Sequence, residues 1–379
     1  MIYALWTILH PDMGQLLMPQ LDTLSCTSSL DKSFELSVTL AHGLRSLNID
    51  IFDCFTEMQT SNLMSLLRSQ SRVEELCFCG SICPDMEELP LSEIIDTLPN
   101  LRILSLPSCV PVPHRHASCL AKGANLEILQ VRLIRDHLDS DAALFGLARA
   151  SRLETLDLVM YAGPTQQSLS ACFGSLKVLP TSIQNLFIHE EQHKGHFSTS
   201  FFNRDFVKHL LQLSGLQNVI ISLTAVCQLD NRSLEEIAYA LPALRCFQMS
   251  MYGMHGPLRC PMTLDGLAAL PRACSNLQHA EVSIRREGCC TMRIDKTTVV
   301  GRGLISRLEL TFHGKWGPTQ TDGLRRLIGS AYEDLEEVRL CGSIQFEEEQ
   351  SDDGTGGVTD MIASQLRLPR SIPVRYQQT

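Results

Sequence analysis

The sequence predicts an α/β fold built as a solenoid, in which parallel strands line a concave face and helices a convex face. Three observations predict it. A pattern of Leu, two variable residues, Leu, one variable residue and Leu recurs twelve times; apolar residues recur at helical spacing between copies; and no linker rich in Gly, Ser or Pro interrupts residues 21–346. Because a helix is wider than a strand, about 12 such repeats are expected to curve into a horseshoe.

The strands are predicted from the recurring pattern itself. Its first positions lie 23 to 33 residues apart, and the alternation at its end is typical of a strand with one buried face. The apolar triplets are Leu21/Leu24/Cys26, Leu44/Leu47/Ile49, Val73/Leu76/Phe78, Leu101/Leu104/Leu106, Leu126/Leu129/Val131, Leu153/Leu156/Leu158, Ile183/Leu186/Ile188, Leu216/Val219/Ile221, Leu244/Phe247/Met249, Leu277/Ala280/Val282, Ile305/Leu308/Leu310 and Leu335/Val338/Leu340.

Helices are predicted between the strands, where apolar residues recur three and four positions apart. Ser233 and Glu236 have the spacing of a capping box that would begin one helix, and Leu241-Pro242 would end it. The apolar stripes are Leu63/Leu66/Leu67, Leu91/Ile94/Ile95/Leu98, Leu144/Leu147/Ala148, Phe206/Val207/Leu210/Leu211, Leu234/Ile237/Ala238/Leu241, Leu264/Leu267/Ala268 and Leu324/Leu327/Ile328.

Three segments are expected along the chain. Residues 1–20 are predicted as a helical lead-in or part of a truncated repeat, since no polar cap precedes Leu21. Residues 21–346 form the solenoid, as one elongated domain. Residues 347–379 are acidic and then rich in Gly at their start, so a largely disordered tail is expected.

Composition limits the function. The net charge is -10, and without a basic stripe nucleic acid is not an expected partner. The longest apolar stretch, Ile2 to Leu9, is too short to span a bilayer and is not a secretory signal, so neither a membrane partner nor secretion is expected. The 15 cysteines are interpreted as reduced residues of the core and strands. A cytoplasmic or nuclear location follows.

Two motifs suggest metal chemistry. His189-Glu190-Glu191-Gln192-His193 matches the zinc-hydrolase motif, in which two His one helical turn apart bind zinc and Glu activates water. Here the motif begins on a predicted strand, so a polar loop after that strand is favoured, with adventitious metal binding through His196 as an alternative. Cys77, Cys79 and Cys83 lack a second thiolate pair and are interpreted as ordinary cysteines. We therefore expect no catalytic residue, metal or cofactor.

A partner-binding surface is predicted on the concave face, where the third, fifth and seventh positions of each copy would point. Its centre is apolar and rich in amides, which suits a protein or peptide. Phe187 is a candidate anchor, with packing against its neighbours as the alternative. The central residues are Asn185, Phe187, His189, Asn218, Ile220 and Gln248. The flanking residues are Thr23, Ser25, Thr27, Ser46, Asn48, Asp50, Ser222, Ser250, His279, Glu281, Arg307, Glu309, Glu337 and Arg339.

With these strand triplets and intervening helices, the chain resembles the irregular leucine-rich repeat (LRR) region of fungal F-box/LRR proteins. The resemblance covers most of the chain, although the Asn or Cys at the ninth repeat position is found only at Cys109 and an F-box does not fit within residues 1–20. It implies a non-catalytic module that recognises substrates for a ubiquitin ligase. If an F-box lies upstream, Skp-type and cullin subunits are expected partners. The alternatives are a stand-alone LRR scaffold and a zinc-dependent hydrolase using His189 and His193.

Overall fold

The structure, a computed structural model, describes residues 22–27, 43–50, 57–79, 90–106, 125–134, 152–161, 165–191, 200–251, 262–267, 269–284, 288–299, 302–316, 337–341, 344–346 and 374–377. The described residues fall into two units. The first contains the described residues up to Tyr161 and residues 178–183; the second contains residues 165–177 and those from Gln184 onward. Each combines parallel strands with helices, which confirms the α/β class. Residues 1–20 lie outside the described part.

The described residues of the first unit form six strands, each paired in parallel with the next along the chain. They are β1 (Thr23–Thr27), β2 (Ser46–Asp50), β3 (Glu75–Cys79), β4 (Ile103–Ser105), β5 (Ile128–Ile134) and β6 (Thr155–Tyr161). Helix α1 (Glu57–Ser69) connects β2 to β3, and α2 (Leu91–Thr97) connects β3 to β4. Every strand lies on a predicted triplet, and both helices lie on predicted stripes.

The second unit has four parallel strands in the same relation. These are β7 (Asn185–Glu191), β9 (Asn218–Leu223), β11 (Cys246–Met251) and β12 (His279–Ile284), with a separate parallel pair, β8 (Phe201–Phe202) and β10 (Val226–Cys227). The helices are α3 (Gln166–Ser175), α4 (Arg204–Leu210), α5 (Asn231–Ala240), α6 (Leu264–Leu267) and α7 (Ala269–Ala273). The sequence pattern missed α3, β8 and β10. It predicted α4, α5 and α6, which lie on the stripes that begin at Phe206, Leu234 and Leu264; α7 lies just beyond the last of these stripes.

After β12 the prediction of purely parallel strands is wrong. Strand β13 (Gly288–Val299) pairs antiparallel with β12 and with β14 (Arg302–Trp316). Its β-branched run, Thr297-Thr298-Val299, is a strand signal that the search for repeat triplets passed over. The predicted eleventh strand therefore lies in β14, two strands away from β12.

Further strands follow β14. Strand β15 (Glu337–Cys341) contains the last two positions of the twelfth triplet and pairs in parallel with β14, as does β16 (Ile344–Phe346). Strand β17 (Val374–Gln377) pairs in parallel with β15, within the tail that is predicted to be largely disordered. The predicted helices around Leu144 and Leu324 lie outside the described residues.

The core is formed by the repeated apolar positions. The first and fourth positions are buried in nine successive copies, from Leu44/Leu47 to Leu277/Ala280. Helices bury their apolar stripe, as α2 does with Leu91, Ile94 and Ile95. In the second unit Phe173 packs on Phe202 and Phe206, with ring centroids 5.2 and 5.3 Å away. Such a core excludes ionised groups, and burial raises the pKa of the neighbouring Cys172 to about 12.

A shared carbonyl connects consecutive repeats. The backbone N–H groups of Arg45 and Ser46 both donate to the carbonyl oxygen of Asp22, at 2.8 and 2.9 Å. The same paired bonds recur in five consecutive junctions of the first unit and three of the second; the accepting residues are Asp22, Arg45, Glu74, Arg102, Glu127, Gln184, Gln217 and Arg245. Each acceptor occupies the second position of its copy. The copies are thus equivalent in hydrogen bonding as well as in sequence.

The predicted capping box of Ser233 and Glu236 is wrong. Helix α5 begins earlier, and its N-cap is Asp230, whose carboxylate accepts from the Ser233 backbone N–H at 2.9 Å and from its hydroxyl at 2.7 Å. These bonds lower the pKa of Asp230. Glu236 instead forms an ion pair with Arg204 of α4. The predicted end of the helix at Leu241 is confirmed.

Candidate partner-binding surface

The central predicted residues share one face of the second unit. Strand alternation buries Leu186, Ile188 and Val219 on the other side and leaves this face half-buried, except at Ser250, which is buried. Register places Asn185 beside Asn218 and Phe187 beside Ile220, which in turn lies beside Gln248. We call this surface the second-unit face; its residues are Asn185, Phe187, His189, Asn218, Ile220, Ser222, Cys246, Gln248, Ser250, His279 and Glu281.

One end of the second-unit face carries paired amides. The Asn218 side-chain nitrogen donates to the Asn185 side-chain oxygen at 2.6 Å. One position earlier, the Gln217 side chain donates to that of Gln184 at 2.9 Å. Amides carry both donors and acceptors, so they can exchange hydrogen bonds with a peptide backbone.

The middle of the face is aromatic and aliphatic. The rings of Phe187 and His189 are stacked, with centroids 6.2 Å apart and planes inclined by 24°. Ile220 lies beside Phe187 in the neighbouring strand. Phe187 thus packs along its own strand and is also half-exposed. Packing against its neighbours is therefore compatible with a role as an anchor for a partner.

The other end of the second-unit face, in β11 and β12, is polar and carries the Glu281 carboxylate. Ser250 donates its hydroxyl to Glu281 at 2.9 Å, and Gln248 donates to Ser250 at 3.5 Å. His279 Nε2 lies 4.0 Å from the Glu281 carboxylate. Burial, followed by the nearby Glu281 charge, raises the pKa of Cys246. Cys246 on this face was not predicted, although its place as the third position of the copy that begins at Leu244 is a signal for it.

The flanking predicted residues occupy other strands. Thr23, Ser25, Asn48 and their neighbours lie in β1 and β2 of the first unit. Arg307 and Glu309 lie in β14, paired by register with Glu337 and Arg339 of β15. Since β13 lies between β12 and β14, the predicted surface does not pass directly from Glu281 to Glu309.

His189 and Glu190 lie in β7, which confirms the predicted strand. The first His and the Glu of the zinc-hydrolase motif are therefore extended and do not share a helical turn. The Glu190 carboxylate accepts from the Thr224 backbone N–H at 2.6 Å and from the Thr224 hydroxyl at 2.5 Å. His193 and His196 lie outside the described residues.

Cys77 and Cys79 lie on one face of β3, the first half-buried and the second exposed. Burial raises the pKa of Cys77, and Cys79 and Glu75 add to the effect. Cys83 lies outside the described residues. Across the described ranges, no cluster of three or more His, Cys, Asp or Glu suited to a metal ion is found.

Comparison with protein-family models and with curated proteins finds no match to this chain. Within the described part of the chain, no helix has the length and apolar character needed to cross a membrane.

Proposed function

We propose that this chain is a leucine-rich repeat solenoid that binds a protein or peptide without catalysing a reaction. The shared carbonyl supports the repeat assignment, because the same bonds recur at eight junctions between consecutive copies. Solenoids of this kind present successive strands as one binding surface.

The observation that carries the binding role is the composition of the second-unit face. It places a half-exposed aromatic ring and an aliphatic side chain among amides, with a carboxylate at one side. Protein interfaces combine such an apolar anchor with surrounding polar groups. The binding role is favoured over hydrolysis, because the Glu190 carboxylate, which would activate water in a hydrolase, accepts a hydrogen bond from Thr224.

Purification of tagged protein from its native cells tests the binding role. Two variants alter the face, Phe187→Ala and Gln248→Lys; Tyr239→Ala is the matched control, since Tyr239 is 76% exposed on helix α5. We expect both face variants to lose the partners that wild type and Tyr239→Ala retain, while thermal unfolding shows all four proteins folded. Equal recovery by all four would reject the second-unit face as the binding surface.

The same purification tests a more specific role as the substrate-recognition part of an F-box/LRR-type ubiquitin-ligase adaptor in the cytoplasm or nucleus. Cys172 is a buried free thiol, which is consistent with a reducing compartment. Recovery of Skp-type and cullin subunits with full-length protein is the expected result for an adaptor. Their absence would favour a stand-alone LRR scaffold.

The hydrolase alternative has its own test. Zinc near one equivalent in metal-replete protein, lost in His193→Ala, would support it and contradict the non-catalytic proposal.

A further inference from the structure

We infer that Cys77 and Cys79 of strand β3 form a two-coordinate site for a soft monovalent cation, Cu(I). Both residues belong to the first unit. The inference therefore concerns a different surface from the second-unit face and goes beyond the proposed function.

The two thiols share one face of β3 because they lie two residues apart in a strand. Phe78, between them, and Leu76, before them, are buried in the core. Strand alternation therefore turns both cysteines to the opposite face, where Cys77 is half-buried and Cys79 is exposed. Because their neighbours are packed in the core, neither cysteine can turn away from this face without unpacking the repeat.

Backbone pairing fixes the distance between the two cysteines. Strand β3 is paired along its whole length with β2, and its residues up to Cys77 are also paired with β4. Two residues rise about 6.6 Å along a parallel strand, whereas a disulfide needs Cβ atoms about 3.5–4.5 Å apart. A disulfide between Cys77 and Cys79 would therefore require β3 to leave its register, so the pair is held as two neighbouring thiols.

A linear metal bridge fits the spacing that a disulfide does not. Thiolate–metal bonds of about 2.3 Å place the two sulfurs of such a bridge about 4.6 Å apart. Each sulfur lies one bond beyond its Cβ, so Cβ atoms about 6.6 Å apart reach that separation when both side chains lean inward. Binding replaces the two thiol protons by one Cu(I) ion, and both protons are released to solvent.

The choice of Cu(I) follows from the softness and number of the ligands. Thiolates select soft cations, and Cu(I) is stable with two ligands, whereas structural zinc takes four. The register partners of Cys77 are Asn48 and Ser105, whose amide and hydroxyl groups are harder ligands. The Ser105 hydroxyl also donates to Gln130 at 2.6 Å. A second thiolate pair, which zinc would need, is not required by a linear site.

Copper retention by the reduced full-length protein tests the site. Cu(I) is supplied anaerobically as its bicinchoninate complex, which competes with the protein for the metal. Cys246→Ser is the matched control, because Cys246 is also a half-buried strand cysteine, but β11 contains no second cysteine. We expect wild type and Cys246→Ser to retain one equivalent of copper more than Cys77→Ser or Cys79→Ser. Equal retention by all four proteins would overturn the inference.

The expected loss is large because each variant removes a direct ligand. Loss of an outer partner of a metal ligand typically weakens metal affinity about 10–100-fold, so Cys77→Ser and Cys79→Ser should each exceed about 100-fold. Thermal unfolding without metal should show Cys79→Ser as stable as wild type, since Cys79 is exposed. A loss of less than about tenfold in folded Cys79→Ser would contradict its assignment as a ligand.

X-ray absorption at the copper edge tests the coordination number. Protein loaded with half an equivalent of Cu(I) should show two sulfur neighbours, and Cys83→Ser should leave both the spectrum and the retained copper unchanged. A third sulfur neighbour that disappears in Cys83→Ser would reject the two-coordinate site.

Mild oxidation tests the fixed spacing. After treatment of the folded, metal-free protein with diamide, peptide mass mapping should find no disulfide between Cys77 and Cys79, because β3 keeps its register. Formation of that disulfide in protein that remains folded would contradict the geometry on which the linear bridge depends.

Discussion

The two units present different side chains at the same strand positions. In the first unit, Ser105 donates to Gln130 at 2.6 Å and Gln130 donates to Asp157 at 2.8 Å, so three strands are linked by their own side chains. In the second unit, the equivalent row contains Phe187 and Ile220. A face whose polar groups bond to each other stabilises the sheet, whereas a half-exposed aromatic face has apolar area left for a partner.

The second position of each copy, just before the strand, also differs between the two units. In the first unit Arg102 lies between Glu74 and Glu127, at 3.5 and 2.6 Å, and its hydrogen bond lowers the pKa of Glu127. In the second unit the corresponding contact joins two neutral amides, Gln184 and Gln217. The repeat therefore accepts either charge pairs or amide pairs at this position while its backbone bonds stay the same.

The largest effect is expected from the aromatic cluster of the second unit. Phe173→Ala should destabilise the protein by about 3–5 kcal/mol, because it empties a fully buried site between Phe202 and Phe206. Hydrogen exchange should show lost protection in β9. Phe201→Ala is the matched control, since Phe201 is 39% exposed. Equal urea midpoints for the two variants would contradict the assignment of the cluster to the core.

The next-largest effect is expected at Gln130 in the first unit, compared with Gln248 at the equivalent position of the second unit. Gln130→Ala removes both side-chain bonds of the first-unit row and should cost about 1–3 kcal/mol. Gln248→Ala removes one long bond to Ser250 and should cost less than about 0.5 kcal/mol. Urea unfolding of both variants measures the difference. A larger loss for Gln248→Ala would reverse the comparison between a self-bonded face and an open one.

A smaller effect is expected at the Asp230 cap, and it depends on pH. Asp230→Ala should cost about 1 kcal/mol at neutral pH. Hydrogen bonds from Ser233 lower the folded-state pKa of Asp230, so the cap's ionic contribution is present above the unfolded pKa of about 3.9 and is lost as pH falls through the lower folded value.

Asp230→Asn supplies the control for this prediction. Asn is an equally good cap but carries no charge, so its advantage over Ala should not change with pH. Thermal unfolding of the three proteins between about pH 7 and pH 2 measures the effect. A constant gap between wild type and Asp230→Ala over that range would contradict the assigned role.

The smallest effect is expected at the exposed charges of the first unit. Arg102→Gln should lower the midpoint of thermal unfolding slightly at low salt, and the loss should vanish near 1 M salt, about where the Debye length falls to 3 Å. Gln217→Ala, the change at the equivalent position of the second unit, should show no such salt dependence because both partners are neutral. Salt-dependent loss in both variants would remove this distinction.

The sequence pattern located the repeats because burial repeats with them. Leu76 and Val219 sit in equivalent buried positions, and their spacing alone predicts the strands. The helix start was misplaced because Asp230 and Ser233 are both good N-caps. In the structure Asp230 accepts from Ser233. Asn231, the first residue of the helix, also accepts from the Thr263 backbone N–H at 2.8 Å, a contact that the local sequence does not contain.

The candidate surface was predictable in part for the same reason. Position within the repeat placed Phe187, Ile220 and Gln248 on one face, which the register confirms. The pairing of Ser250 with Glu281 was not predicted, because it joins residues of different repeats through side-chain rotamers. The antiparallel strand β13 was not predicted either, because it lies between the tenth and eleventh copies and carries no apolar triplet of the repeat.

The carbonyl that joins consecutive copies bears on how freely this sequence can diverge. It belongs to the main chain, so Asp22, Arg102 and Gln217 perform the same task with unlike side chains. Substitution at this position leaves the backbone bonds between copies intact, whereas a single-residue insertion between the acceptor and the strand would shift every side chain to the opposite face. Related chains are therefore expected to retain their spacing long after their residues at this position have changed.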